Sequence, residues 1–175
     1  VYLNLRTLSE RGALPDRTSD IYTMFSAAMI DPLPPKQREF LAVMGLADEF
    51  TAEMAQFVTG NKNTAALLTA LTEQNAFAKR LPDGVTFRFH HMMKECAEQA
   101  FSALKPEKQR RYRDRYGEWY GSHRQYLHAM SAYRRSGNAD ALLRVVEQDA
   151  GILLAALAPA DVLSFLDECP VPMLK

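Results

Sequence analysis

Two adjacent histidines, His90 and His91, with Cys96 close behind, are the residues of this sequence that most suggest metal chemistry. Neighbours on a helix or strand point in different directions, so the two imidazoles cannot grip one ion as an i, i+4 pair could. The pattern fits better a junction between hairpin and helix, in which one imidazole packs and the other caps or faces solvent. A second constellation is Lys105, Lys108, Arg110, Arg111, Arg113 and Arg115 against Glu107 and Asp114, with Tyr112 and Tyr116 interleaved. Such a run could meet nucleic acid or an acidic partner. The plainer reading is a solvated helix face whose arginine stems cover aromatic packing. No Ser or Cys has the local turn and nearby base of a nucleophile, and no glycine-rich phosphate loop is present. The expectation is a chain with no catalysis of its own and no cofactor or metal.

The residues that must position these groups are those of an ordinary globular protein: 175 in all, 47% hydrophobic and 24% charged, enough for one core or two smaller ones. Twenty-one Lys and Arg balance twenty-one Asp and Glu, so charge effects must be local. The longest purely apolar run, Ile152 to Ala158, falls well short of the roughly 20 residues a bilayer requires. Cys96 and Cys169 have no disulfide or metal spacing around them, which favours a reducing, cytoplasmic compartment. The chain opens on Val1-Tyr2-Leu3 with no signal peptide and ends on Leu174-Lys175, and reads as an internal piece of a longer protein.

Helical periodicity starts at Thr18, with Ser19 or Asp20 as a cap and Ile21, Met24, Phe25 and Ala28 on one side; the prolines after Asp31 end it. Pro35 can open a second helix with Phe40, Leu41 and Met44, closed by Gly45. Thr51 can cap a third, carrying Met54, Phe57 and Val58 to Gly60, and Asn63 or Thr64 a fourth, carrying Leu67, Leu68 and Leu71. The period then changes to two: Ala78 to Leu81 and Val85 to Phe89 flank Pro82-Asp83-Gly84, a hairpin signal. Met92, Met93, Cys96, Ala97, Ala100, Phe101 and Leu104 form the next helix. Beyond Lys105-Pro106, Tyr112, Tyr116, Trp119 and Tyr120 make an aromatic stripe, with Gly117, Gly121 and Ser122 small enough for a neighbouring helix to come close. Leu127 to Tyr133 and Leu142 to Val146 are separated by Ser136-Gly137-Asn138, a helix stop followed by a cap, and a last helix starts near Pro159 with Val162, Leu163, Phe165 and Leu166. Phe89, Met93 and Trp119 are expected in cores. The fold expected is mainly α: a winged-helix-like domain with a small β-hairpin over 32–104, then stacked, TPR-like helical hairpins over 105–175.

Residues from about Asp20 onward resemble the region after the nucleotide-binding module in MalT-like, LuxR-type transcriptional regulators of the STAND class of ATPases. The resemblance rests on Leu33-Pro34 leading to Arg38-Glu39-Phe40-Leu41, on Leu67-Leu68 followed by Gln74-Asn75-Ala76-Phe77, and above all on Phe89-His90-His91-Met92-Met93-Lys94-Glu95. His128-Ala129, Ser136-Gly137-Asn138 and Phe165 to Pro170 fit the helical region beyond. That family tends to have a tryptophan- or tyrosine-rich run before the histidine pair, where this chain has Thr86-Phe87-Arg88-Phe89. The resemblance implies an ATP-binding module upstream, to whose end residues 1–31 would belong. It also implies helical sensor repeats downstream and a DNA-binding helix-turn-helix at a far C-terminus outside this chain. It makes the chain a coupling segment between ATPase switch and sensor; a stand-alone helical scaffold for a partner peptide is the alternative. The partners expected are neighbouring domains of its own chain, another protein or a second copy, with DNA reached only through that absent domain and no membrane. The candidate interaction surface is Lys62, Thr69, Glu73, Lys79 and Arg80, with Arg110, Arg111 and Arg113. The fourth helix is expected to turn Lys62, Asn63, Thr64, Thr69, Thr72, Glu73 and Gln74 away from its leucines. One lysine among these is too few for a helix that reads DNA.

Overall fold

The structure, a computed structural model, describes residues 18–73 and 78–152, and the chain divides into two compact units, one ending at Leu104 and the other beginning at Lys105. In the first, helix α1 (Thr18–Phe25) continues without a break into a π-helical turn, Ser26–Ile30. Ser19 and Asp20 already lie within the helix, so neither is its cap. Helix α2 (Pro35–Met44) follows, opened by proline at a position whose missing N–H costs nothing, and it buries every residue from Phe40 to Met44. A two-residue strand β1 (Phe50–Thr51) leads directly into α3 (Ala52–Thr59), where the Thr51 hydroxyl accepts a hydrogen bond from Met54 N at 3.1 Å and Gly60, at φ 72°, ends the helix. Helix α4 (Thr64–Glu73) buries Leu68 and Leu71, with Leu67 half-buried.

Strands β2 (Ala78–Arg80) and β3 (Thr86–Phe89) form the expected hairpin, Ala78 opposite Phe89 and Arg80 opposite Phe87. Its turn is held by Asp83, whose carboxylate accepts from Val85 N at 3.0 Å, Thr86 N at 2.9 Å and the Thr86 hydroxyl at 2.5 Å, while Gly84 takes the left-handed φ of 72°. The sheet is larger than a hairpin, because β1 pairs antiparallel with β3, giving the order β1-β3-β2. Two residues are too short for alternation to show, so this strand has no sequence signature. Phe50 packs on Phe87 and Phe89 with ring centroids 6.2 and 5.2 Å away, and Met93, Cys96, Ala97 and Phe101 of α5 (His91–Ser102) complete the core. At Gly45 a Cβ would stand 2.4 Å from that of Ala97, so α2 and α5 touch where only glycine fits.

The second unit is a series of helical hairpins: α6 (Pro106–Ser122), α7 (Tyr126–Ser136) and α8 (Ala139–Gln148). Gly117 lies under the Tyr133 ring and Gly121 near Ala129, so α6 and α7 run antiparallel with small residues at the contact. Gly137 at φ 74° stops α7, and the Asn138 side chain, accepting from Ala141 N at 3.2 Å, starts α8. The core joins Ala129, Met130 and Tyr133 to Ala141, Leu142 and Val145.

Three expectations of burial need correction. Phe57 is exposed, because α3 turns Met54, Ala55 and Val58 inward. Thr64 is buried at the start of α4, where its hydroxyl donates to Asn61 O at 2.6 Å, and does not belong to the outer face. Trp119 is only half-buried, its indole 3.9 Å from the His123 ring at the end of α6. The helix expected near Pro159, Gln74 to Phe77 and Cys169 lie outside the described residues.

Candidate interaction surfaces

The outer face of α4 is small and nearly neutral. Ala65, Ala66, Thr69 and Ala70 are exposed, the Thr69 hydroxyl turns back to donate to Ala65 O at 3.1 Å, and charge is confined to Lys62 before the helix and Glu73 at its end. Thr72 likewise spends its hydroxyl on the carbonyls of Leu68 and Thr69.

The sheet places Lys79 opposite Arg88, two cations on its outer side. Arg88 is paired with Glu49 and, on the adjoining helix, Lys94 with Asp48. Arg80 lies over the Phe87 ring, 5.2 Å from its centroid. The Asp83 carboxyl is held below its ordinary range, first by the Thr86 hydroxyl and then by the Thr86 and Val85 amides, so it belongs to the turn's own architecture. Sequence reading found Lys79, Arg80 and Arg88 but missed Asp48 and Glu49, which sit far away along the chain and reach the wing only because β1 joins the sheet.

One histidine faces solvent as expected, but the packing expected of the other is not found. Both are exposed; His90 occupies the N-cap of α5 without a side-chain capping bond, and His91 Nε2 is 2.9 Å from Glu95 Oε1 one turn on. Neither packs and neither caps. The apolar duty at this junction falls to Phe89 and Met93. Among the described residues no three His, Cys, Asp or Glu groups converge as a metal site would require. Glu95 also hydrogen-bonds Tyr22 and raises that phenol's pKa, while the Cys96 thiol faces Tyr22 O at 3.7 Å. Burial, then the Glu95 charge, push Cys96 up to about 11. These contacts fasten α1 to α5 beside an open cleft of about 390 Å³ whose lining includes Ile30, Arg38, Glu39, Cys96 and Ala100.

In the second unit Arg110 and Arg111 are exposed on α6, with Arg111 over the Tyr112 ring at 5.5 Å, as the reading of arginine stems on aromatic packing expects. Arg113 is half-buried and its Nη1 donates to Arg135 O at 2.9 Å. Burial, and then the charge of Arg135, lower its pKa. Tyr112 and Tyr116 are core residues, the Tyr116 phenol pushed well above its ordinary value by burial. Asp114 serves the α7–α8 turn, accepting from the Ser136 hydroxyl at 2.6 Å and from Asn138 Nδ2 at 3.2 Å. Arg134 and Arg135, in the last turn of α7, were not read as part of this stretch; only the hairpin register brings them beside it.

Residues 26–109 match the family model of the MalT winged helix domain. The chain is also similar to serine/threonine-protein kinase PknK of Mycobacterium tuberculosis (strain ATCC 25618 / H37Rv) and to that of Mycobacterium bovis (strain ATCC BAA-935 / AF2122/97), at 25% identity in each case. These alignments take in 98% of this chain and 16% of each relative, so the chain spans about a sixth of the curated proteins it matches. Among the described residues no helix is long and apolar enough to cross a membrane.

Proposed function

We propose that this chain is an internal coupling segment of a MalT-like, LuxR-type regulator of the STAND class, acting in the cytoplasm. In this reading the winged helix and the first TPR-like hairpins relay the state of a downstream sensor to an upstream ATP switch. The chain performs no chemistry of its own; ATP and DNA belong to other domains of the full protein. The observation that carries the reading is the state of the wing and of α4. A DNA reader gains most of its affinity by neutralising phosphates with several free Lys and Arg groups. Here Arg88 is paired with Glu49 and Lys94 with Asp48, and Arg80 lies over Phe87, while α4 presents small neutral residues between Lys62 and Glu73. Such a face suits close packing against a neighbouring domain, where unpaired charge would only add desolvation cost. Lys62, Thr69, Glu73, Lys79 and Arg80 are the residues assigned to that contact.

The test is a fluorescence-anisotropy titration of the chain with duplex DNA at about 50 mM salt, where counterion release most favours binding. The expected result is weak association. Tight, salt-sensitive binding abolished by Lys79→Ala and Arg80→Ala would overturn the reading and make the wing a DNA contact.

A further inference from the structure

The sheet of the winged helix has an open edge on the side of β2. In the order β1-β3-β2 the middle strand has a neighbour on each side, whereas β2 has β3 alone. Leu81 N donates to Thr86 O at 2.8 Å, and the register sets Arg80 opposite Phe87 and Lys79 opposite Arg88. Antiparallel pairs alternate between bonded and non-bonded, so the main-chain N–H and C=O of Lys79 turn toward β3 and those of Arg80 turn away from it. Among the described residues nothing pairs with the Arg80 N–H or C=O. Lys79 and Arg80 are exposed and Ala78 before them is buried, so the open stretch runs from Lys79 into the turn. Lys79 makes no ion pair among the described residues. The nearest carboxylate along the chain, that of Asp83, is held by Val85 and Thr86.

We propose that this edge takes an extended, acidic segment of the domain that docks on the wing, bound as a fourth strand of the sheet. The Arg80 N–H and C=O each supply one main-chain bond to the added strand, whose side chains alternate between the two sides of the sheet. Lys79 lies on the outer side with Arg88, and Arg80 on the side of Phe87. Two consecutive acids on the added strand therefore meet one cation each, one on either side. A second copy of the chain is a poor occupant. Two β2 edges paired about a two-fold axis through these outward bonds would set Arg80 directly opposite its own copy, and like charges so placed repel. The inference rests on the reading of the wing as a docking face and specifies how the contact is made.

The experiment titrates the isotope-labelled chain with an acetylated peptide of alternating Thr and Val that carries Glu-Asp at its centre, up to about 2 mM, and follows it by NMR. The Arg80 amide signal moves and its hydrogen exchange slows about five-fold, because that N–H gains an acceptor. A strand bonds its neighbour through every second residue, so of two peptides N-methylated on complementary alternate residues only one retains the effect. Arg80→Gln, which keeps the N–H and removes the charge, weakens binding about three-fold. Arg80→Pro removes the outward N–H and no bond to β3, so its circular dichroism spectrum is unchanged while binding weakens about ten-fold. The proposal is overturned if the Arg80 amide does not respond, if Arg80→Pro binds like Arg80→Gln, or if the two methylated peptides behave alike. Duplex DNA separates this from the reading beneath it: tight binding through Lys79 and Arg80 would overturn both, whereas weak DNA binding with no response to the peptide overturns strand addition alone.

Discussion

Replacing Gly117 by alanine sets two effects of known size against each other on one helix. Glycine in a helix interior costs about 0.8–1.0 kcal/mol relative to alanine, so the substitution alone should stabilise α6. At position 117, however, a Cβ would lie 2.5 to 2.7 Å from three atoms of the Tyr133 ring, closer than carbon atoms tolerate. Tyr133 is buried, its ring packed with Ala129, Met130, Ala141, Leu142 and Val145, so it cannot swing away without disturbing the α7–α8 core. Overpacking of this kind costs about 1–3 kcal/mol. Clash should exceed propensity, for a net loss of up to about 2 kcal/mol. Gly121, one turn on, is the internal control, because its Cβ would meet Ala129 Cβ at 4.0 Å, an ordinary contact. Gly121→Ala should stabilise by about 0.5–1 kcal/mol. Trp119, the only tryptophan, lies on the same helix, so its fluorescence reports the melting of this unit. For a domain of this size about 1 kcal/mol moves Tm by roughly 4–8 °C, so the two variants should melt on opposite sides of the parent. If Gly117→Ala proves as stabilising as Gly121→Ala, the close approach of α6 and α7 is wrong.

Gly45→Ala should destabilise the first unit by about 1–3 kcal/mol in urea unfolding, because the new methyl meets Ala97 Cβ at 2.4 Å and the Ala97 backbone at 3.4 Å, and the backbone cannot step aside. Arg124 turns the chain between α6 and α7 at φ 58°, so Arg124→Gly should stabilise the second unit by up to about 1 kcal/mol; a lower Tm would count against that turn. Asp83, with its folded pKa lowered by Thr86, contributes stability that is present above its unfolded value and lost as pH falls through the folded one. Carbon NMR titration should therefore find the Asp83 carboxyl below the ordinary range in the parent and nearer to it in Thr86→Val. Cys96, pushed up to about 11 by burial, should resist a disulfide-exchange reagent at pH 8 in a Cys169→Ser background until the chain is unfolded; rapid labelling of the folded chain would contradict its burial.

Elements that punctuate themselves were legible from the residues alone. Pro35 opens α2, Thr51 and Gly60 frame α3, and Gly137-Asn138 stops one helix and starts the next, each by a local rule that tertiary packing does not override. Asp83-Gly84 located the hairpin for the same reason. What depended on partners distant in sequence was not legible. β1 is recognisable only through its pairing with β3, and Phe57 falls on the helical spacing yet points outward, because the side of α3 that faces the sheet is fixed by how α3 leaves β1. Trp119 reads as core by residue type, but its place near the end of α6 leaves it tilted against His123 and partly open. The histidine pair misled in another way: its apolar neighbours Phe89 and Met93 carry the packing, and the imidazoles remain outside.

The candidate surfaces were legible in composition and illegible in sign. In sequence Lys79, Arg80 and Arg88 put cations on the wing, and Lys105 to Arg115 reads as a solvated helix face whose arginine stems cover aromatic packing. The fold adds to both surfaces contacts that sequence distance hides. Glu49 reaches Arg88 from β1, and Asp48 reaches Lys94 beside it, so the wing loses field where a DNA ligand would need it. Asp114 is drawn to the α7–α8 turn, where it accepts from Ser136, and Arg113 donates to the Arg135 carbonyl across the hairpin. A cation's functional meaning therefore depends on which carboxylate the topology brings to it. At exposed sites such a pair is worth only about 0–1 kcal/mol to stability, so its consequence lies in the surface potential a partner meets rather than in the fold. Glu49→Gln makes this measurable: it frees Arg88 with little effect on melting, and DNA affinity at low salt should rise in the variant while the parent stays weak. An unchanged affinity would mean that pairing with Glu49 is not what keeps the wing from DNA.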